Sequence, residues 1–413
     1  MKRRGRSRIV IGPRHSMRLS KTGSSLFATI VFVEFIALIL YNMYYSDMWI
    51  RNRGQNFKVN SMQQFTASLQ MKANKTFAFG ENSSELTLLK NIRSQCSQLT
   101  FSFVSPVIQP RFDEKDLTSI FLLVLTVSGG GKLNRERRYV IRKTWANKTR
   151  HHASRLWKHI FVLGKTQDSE LDNEIMQESS VFNDVLVLDV AENYDNLVIK
   201  TFSGLLWGLV HVNPRLLLKT DDDVYIRIPY LITWLELYAT ELFYGGFSIG
   251  DAQVRRSASQ KNYVTKDCLD IEYYPPYCSG PFYVVSASAL RSIFQSMKKW
   301  KAILAEDAYM GILAHESGLP AVDIPGFNPF RSLQDYGKCH WSSAVALGHS
   351  FDFLEFSYVE NKLQEYSDLP RYYYQCLMTD WAAFIFLFFI PSFVFVTFLT
   401  VVKVRTLQTR RLF

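Results

Sequence analysis

No Cys-x-x-Cys pair occurs in the 413 residues, so the five cysteines (Cys96, Cys268, Cys278, Cys339, Cys376) suggest no zinc site. No internal repeat is present, which removes solenoids and propellers. Walker spacing is missing as well. The glycine run 128–133, SGGGKL, carries no Ser or Thr after Lys132, and a nucleotide triphosphatase is discounted. Residues 1–21 and 403–413 hold no acidic side chain, and Trp381–Val402 holds no charge at all.

These absences reshape what the formal net charge of +11 means. Eight Lys and Arg lie in residues 1–21 and four more in residues 403–413, so the basicity sits in two short tails. The body between them is near neutral. A phosphate-binding face would spread basic residues through the fold, and a nucleic-acid partner is excluded. Each tail abuts an apolar run, which is the pattern that sets membrane topology.

The first run, Leu26 to Tyr45, is long enough to cross a bilayer as a helix. Glu34 interrupts it at a cost of roughly 2.5–3.5 kcal/mol, which the surrounding Ile, Leu, Phe and Val outweigh. No A-x-A site follows, so a signal anchor fits better than a cleaved signal peptide. The second run, Trp381–Val402, tolerates Pro391 as membrane helices do. The expected order is therefore a basic cytosolic tail (1–24), a transmembrane anchor (25–46), a luminal stem (47–112), a catalytic domain (113–365), a luminal linker (366–380), a second transmembrane helix (381–402) and a basic cytosolic tail (403–413). Sequons at Asn74, Asn82 and Asn147 and five cysteines in the expected lumen agree with that placement. Five is odd, so one thiol is free or pairs with another chain.

Residues 47–112 are polar and end on Pro106 and Pro110. From Thr118 the pattern changes to strand and helix in alternation. SIFLLVLTVSG (119–129), HIFVLGK (159–165), VLVLDV (185–190) and LLLKT (216–220) read as strands. Arg135–Trp145, Glu170–Ser180 and Asn196–Val210 read as helices. Such alternation predicts an α/β fold, a mostly parallel sheet with helices on both faces. Ligands in such sheets bind at the carboxyl ends of strands, which points to Gly129 and to Asp221–Asp223.

Three consecutive carboxylates repel one another and are kept together most readily around a cation; their hard oxygens suit Mg²⁺ or Mn²⁺. Glu306 and Asp307 open a helix, where two acids also simply complement the helix dipole. His349 follows an apolar run and is a potential partner to carboxylates at a metal.

Taken in order, RRYVIRKTWANK (137–148), FVLGK (161–165), NYDNLVIKT (193–201), LLLKTDDDVYI (216–226), YYPPYCSGPFYVVS (273–286), EDAYMGI (306–312), Cys339 and His349 make a specific pattern. The chain resembles the β1,3-glycosyltransferases, in particular the β1,3-galactosyltransferase-like group, over about residues 118–355. That resemblance implies a GT-A type, Rossmann-like fold, a UDP-sugar donor, Mn²⁺ (or Mg²⁺), inversion at the anomeric carbon and a Golgi membrane location with the catalytic domain luminal. It implies metal binding by Asp223 and His349, and a general base at Asp307 beside Glu306. Donor contacts would fall to Arg142, Lys200, Asp221, Asp222 and Gly280. Tyr277, Ser279 and Gly280 would floor the sugar site, and Cys278 and Cys339 would pair in a disulfide.

Two departures stand out. The group ordinarily has no second span, and the glycine pair that ordinarily follows C-S-G is here Pro281-Phe282. The expected reaction is galactose transfer from UDP-galactose to a glycan on protein or lipid in β1,3 linkage. UDP-GlcNAc or UDP-GalNAc transfer, or an inactive glycan-binding relative, are the alternatives. Homo- or hetero-oligomerisation stays open.

Overall fold

The computed structural model describes residues 93–95, 99–113, 119–149, 151–330 and 332–366. The chain divides into two units, Met1–Ala67 and Ser68–Phe413. The first lies outside the described residues, as do both expected spans, the tails, most of the stem and the sequons at Asn74 and Asn82. No helix among the described residues is long and apolar enough to cross a membrane.

In chain order the strands are β1 (Arg93–Gln95), β2 (Thr100–Ser102), β3 (Pro106–Ile108), β4 (Leu122–Val127), β5 (Trp157–Lys165), β6 (Val185–Ala191), β7 (Leu216–Asp221), β8 (Tyr225–Ile226), β9 (Tyr244–Ile249), β10 (Tyr277–Ser286), β11 (Val322–Asp323), β12 (Phe327–Asn328) and β13 (Ala346–Leu347). The helices are α1 (Lys132–Lys143), α2 (Ser169–Phe182), α3 (Leu197–His211), α4 (Ile228–Tyr238), α5 (Ala287–Ser296), α6 (Glu306–Glu316), α7 (Lys338–Ser343) and α8 (Phe353–Glu365). The main sheet runs β11-β9-β10-β7-β4-β5-β6-β3. Its centre, β6-β5-β4-β7, is parallel, while β10 is antiparallel to both β7 and β9, and β3 is antiparallel to β6. The sheet is thus mixed, with parallel pairing concentrated where the sequence alternates strand and helix.

The parallel strands are apolar on both faces because both faces are covered. Leu123 and Leu125 of β4, Ile160 and Val162 of β5 and Leu217 of β7 join one core with α3, α5 and α6. Their neighbours Leu122, Val124, Phe161, Leu163, Leu216 and Leu218 join the other with α1, α4 and α8. All six residues of β4 are buried. Truncating Leu123 to Ala would cost about 2–5 kcal/mol, since the site is closed on every side.

Two local devices place the site. Between Cys278, opposite Ser248, and Tyr283, opposite Gly246, the register of β10 against β9 slips, so residues 279–282 face Phe247 alone. This bulge turns Ser279, Gly280 and Pro281 toward the carboxyl end of β7. Helix α6 then packs directly on β10, because a Cβ at Gly311 would lie 2.2 Å from the Cβ of Tyr277.

The fold starts earlier than expected. Phe101 is fully buried, and β3 pairs with β6, so Phe101 and Pro106–Ile108, within the expected stem (47–112), belong to the core and the sheet. Among the described residues the free thiol is Cys278, which is buried, whereas Cys268 and Cys339 are disulfide-bonded; Cys96 and Cys376 lie outside the described residues. The expected Cys278–Cys339 pair is therefore corrected: Cys278 sits inside β10, its sulfur enclosed by the core.

Candidate active site

The chain leaves β7 at Asp221 and turns through Asp222 and Asp223 into β8. The three carboxylates have three different environments. Asp221 accepts from the ammonium of Lys219 at 2.7 Å. Asp222 is buried and saturated: it accepts from Ser128 Oγ (2.7 Å), Asn134 Nδ2 (2.9 Å) and Arg137 Nη1 (3.3 Å). It therefore ties the loop after β4 and the start of α1 to the triad. Asp223 keeps one buried oxygen, Oδ1, with no hydrogen-bond partner. Burial, and then the charges of Asp221 and Asp222, push its pKa up.

The segment around His349 closes on Asp223. Phe351 N–H donates to the Asp223 carbonyl at 3.1 Å, and the backbone N–H of Ser350 works against the rise in the Asp223 pKa. The turn needs Gly348 at φ +96° and Ser350 at φ +68°. His349 itself is exposed, its Nδ1 within 3.0 Å of Ser350 Oγ and its ring edge-on to Phe330.

These residues fit a divalent ion. An unpartnered, buried carboxylate oxygen with raised pKa lacks a cation, and an adjacent exposed imidazole is a second donor. Among the described residues no group of three or more His, Cys, Asp and Glu side chains is placed to hold a metal. Two protein ligands suit an ion that completes its shell with water and phosphate oxygens, as Mg²⁺ does.

The loop Ser128–Gly131 is held from behind. Arg138, wholly buried, donates to Ser128 Oγ at 3.1 Å and Gly129 O at 2.6 Å while forking onto Glu178 at 2.8 and 2.6 Å. Lys200 donates to Ser128 O at 2.8 Å and pairs with Glu192. Two of its ammonium hydrogens are thus committed to the protein, and the residue sits at 4 % exposure beside the loop.

Arg142, the other cation expected on the donor side, is engaged more fully. Its guanidinium binds Asp184 (2.8 and 2.7 Å) and Glu178 (2.7 Å) and stacks over Phe182 at 4.1 Å. It fastens α1 to the end of α2 and faces away from the triad. The arginine that does face the triad is Arg137, whose Nε is buried and unpartnered. The sequence held a usable signal, since Arg137 and Arg142 differ by five residues and so by about 140° around a helix.

Glu306 and Asp307 begin α6 opposite the bulge. Asp307 Oδ2 accepts from Gly280 N at 3.0 Å and Oδ1 from Ala308 N at 2.9 Å. Burial raises its pKa, against the pull of the Ala308 N–H, of Lys219 and of the Gly280 N–H. Gly280 approaches so closely that a Cβ there would sit 3.2 Å from Asp307 Oδ2. Glu306 is buried, takes a 2.6 Å hydrogen bond from Tyr283 OH, and is pushed by burial to a pKa of about 7. It is the deeper acid, and Asp307 the one that keeps partial exposure. Phe282 does not line the site: it is fully buried and packs edge-on against Phe327 at 5.0 Å. Of the pair replacing two glycines, only Pro281 lies at the surface of the bulge.

Comparison with known proteins bears on the same residues. A galactosyltransferase family model matches residues 136–325, from α1 through the triad and α6 to the end of β11. Mouse β-1,3-galactosyltransferase 1 is 28% identical over 280 residues, spanning 67% of this chain and 80% of that one. Human β-1,3-galactosyltransferase 2 is 29% identical over 257 residues, spanning 60% and 59%. A solved structure of the galactosyltransferase LgtC with donor and acceptor sugar analogues aligns at a TM-score of 0.28 and 12% identity, over 49% of this chain and 73% of that one. That score carries no argument, and the reading rests on the sequence matches and the geometry.

Proposed function

Because the chain is a glycosyltransferase of the β1,3-galactosyltransferase-like family, we propose that it transfers galactose from UDP-galactose to a glycan hydroxyl in β1,3 linkage, with inversion and with Mn²⁺ (or Mg²⁺). The observation that carries this reading is the presence of two unlike carboxylates, one just past the carboxyl end of β7 and one at the start of α6, in segments that Lys219 joins. Asp223 has a bare buried oxygen; Asp307 is held by backbone N–H groups with a raised pKa.

Each does a separate job. Asp307, unprotonated, accepts the proton of the acceptor hydroxyl as that oxygen bonds to the anomeric carbon. The bond from that carbon to the diphosphate oxygen breaks, and its electron pair leaves with UDP. General-base catalysis of this kind is worth roughly 10²–10⁴-fold. The raised pKa makes Asp307 a stronger base than an open carboxylate. Arg137 Nε is free to donate to the diphosphate, a charge-assisted contact. A divalent ion held by Asp223 and His349 would neutralise charge on the departing diphosphate. Asp222, Arg138 and Lys200 hold the glycine loop that closes the donor side, and Gly280 sets the Asp307 carboxylate. The proposal includes a GT-A type fold and a Golgi membrane location, which the apolar runs with basic flanks support.

The test is UDP release by the full chain in detergent, with a panel of UDP-sugars and glycoside acceptors, with and without Mn²⁺. Metal-dependent, acceptor-stimulated release with UDP-galactose is expected. Turnover with UDP-GlcNAc or UDP-GalNAc instead would change the donor and keep the mechanism. Absence of both release and UDP binding would overturn the catalytic reading in favour of a glycan-binding relative.

A further inference from the structure

Lys219 is a lysine inside a fully buried strand. Its register neighbours are Leu125 of β4 and Tyr283 of β10, and it is 1 % exposed. A charge in that position is costly unless paired and hydrogen-bonded. The pairing it has reaches both halves of the site. Its ammonium donates to Asp221 Oδ1 at 2.7 Å, donates to the carbonyl of Gly280 at 2.6 Å, and lies 3.6 Å from Glu306 Oε2. The same Gly280 gives its N–H to Asp307, and Glu306 precedes Asp307 in α6.

From this geometry we propose that Lys219 is the positioning residue of the transfer reaction: one buried ammonium fixes the separation between the triad and the base and supplies a positive field at the base. The inference rests on the glycosyltransferase reading and deepens it. Structurally, Gly280 is held on both sides, the carbonyl of its following peptide by Lys219 and the N–H of its preceding peptide by Asp307. The triad strand and the base helix therefore move as one body. Electrostatically, the other titratable groups facing Asp307 are Glu306 on its own helix, Tyr277, Cys278 and Tyr283 on β10, Tyr274 just before it and Tyr244 on β9. Burial holds the tyrosines and the thiol neutral, and Glu306 adds negative charge as it ionises. Lys219 is the cation that opposes them. Burial works to lower its own pKa, but Asp221 and Glu306 outweigh that and keep it protonated.

The experiment is the pH dependence of kcat/KM for the full chain and three variants, with Mn²⁺–UDP affinity and melting temperature measured alongside. For Lys219→Met the expected result is a kcat loss of roughly 10²-fold and an acid limb moved up by about one pH unit. Mn²⁺–UDP affinity should hold, because Asp223 and Arg137 are untouched. Lys219→Arg keeps the charge and should return the acid limb to its parent position. Glu306→Gln removes a negative neighbour and should move the limb down. An unmoved acid limb in a folded Lys219→Met protein overturns the proposal, since a purely structural lysine changes stability without changing the base. If that variant does not fold, Glu306→Gln decides, and a limb that stays or rises overturns it. If the parent transfers no sugar at all, the catalytic reading has failed separately. Carboxyl infrared titration, with Asp307→Asn as the assignment control, then reads whether Lys219→Met raises the Asp307 pKa.

Discussion

The triad at the end of β7 and the acid pair at the start of α6 are both runs of adjacent carboxylates, yet they are partnered in opposite ways. In the triad the work is divided among side chains. Asp221 goes to a lysine, Asp222 to three donors from the loop and α1, and Asp223 is left with an empty lone pair. In the pair the partners are mostly backbone and buried phenol, and both acids are pushed up in pKa chiefly by burial. Residue type alone does not separate a ligand from a base or a strut. What separates them is which oxygens remain unclaimed and how much water each one keeps.

The comparison is broken most completely at its extremes. Asp223→Ala should abolish Mn²⁺-dependent UDP binding, measured by calorimetry, because no other carboxylate of the triad has a free buried oxygen. Asp307→Asn should leave that binding intact and lower kcat by roughly 10²–10⁴-fold. If both variants lost UDP binding equally, the division of labour would be wrong. The pH dependence sharpens the same contrast. Asp307 acts only when unprotonated and its pKa is raised, so kcat/KM should fall on acidification at a pH above the ordinary carboxylate range.

Smaller effects distinguish the arginines. Arg142→Ala leaves Glu178 and Asp184 short of a partner and should destabilise the fold by about 3–5 kcal/mol, with donor KM unchanged in the protein that remains folded. Arg137→Ala should raise donor KM about tenfold for the loss of one charge-assisted hydrogen bond, with a smaller fall in melting temperature than Arg142→Ala, because Asp222 loses its longest contact and keeps Ser128 and Asn134. Smallest of all, Asp222→Asn keeps the shape and should cost about 1–3 kcal/mol, with a modest rise in donor KM as the glycine loop loosens.

The central strands and the first three helices were legible because their physics is local. Apolar runs of strand length, bounded by glycine or asparagine, have few alternatives when both faces are covered, and β4, β5, β6 and β7 begin and end within two or three residues of the expected runs. The edge strand Pro106–Ile108 was not legible, being three residues long and opened by a proline. It exists because β6 offers it a hydrogen-bonding edge. The bulge at 279–282 was equally hidden, since register slips depend on the partner strand. Motif residues were found, but their assignments mixed two faces of one helix in the case of Arg142. Lys219 was overlooked although the period of two from Leu217 puts it on a buried face. A charge on the inward side of a covered strand was the signal to follow.

The free thiol in β10 has a practical consequence. Cys278 is fully buried, and burial raises its pKa far above that of an open thiol, so little reactive thiolate is present in the closed strand. An alkylating reagent should therefore modify it at the rate at which β10 parts from β9. Read by peptide mass mapping with and without UDP and Mn²⁺, that rate is a clock for the breathing of the floor on which Gly280 and Asp307 stand.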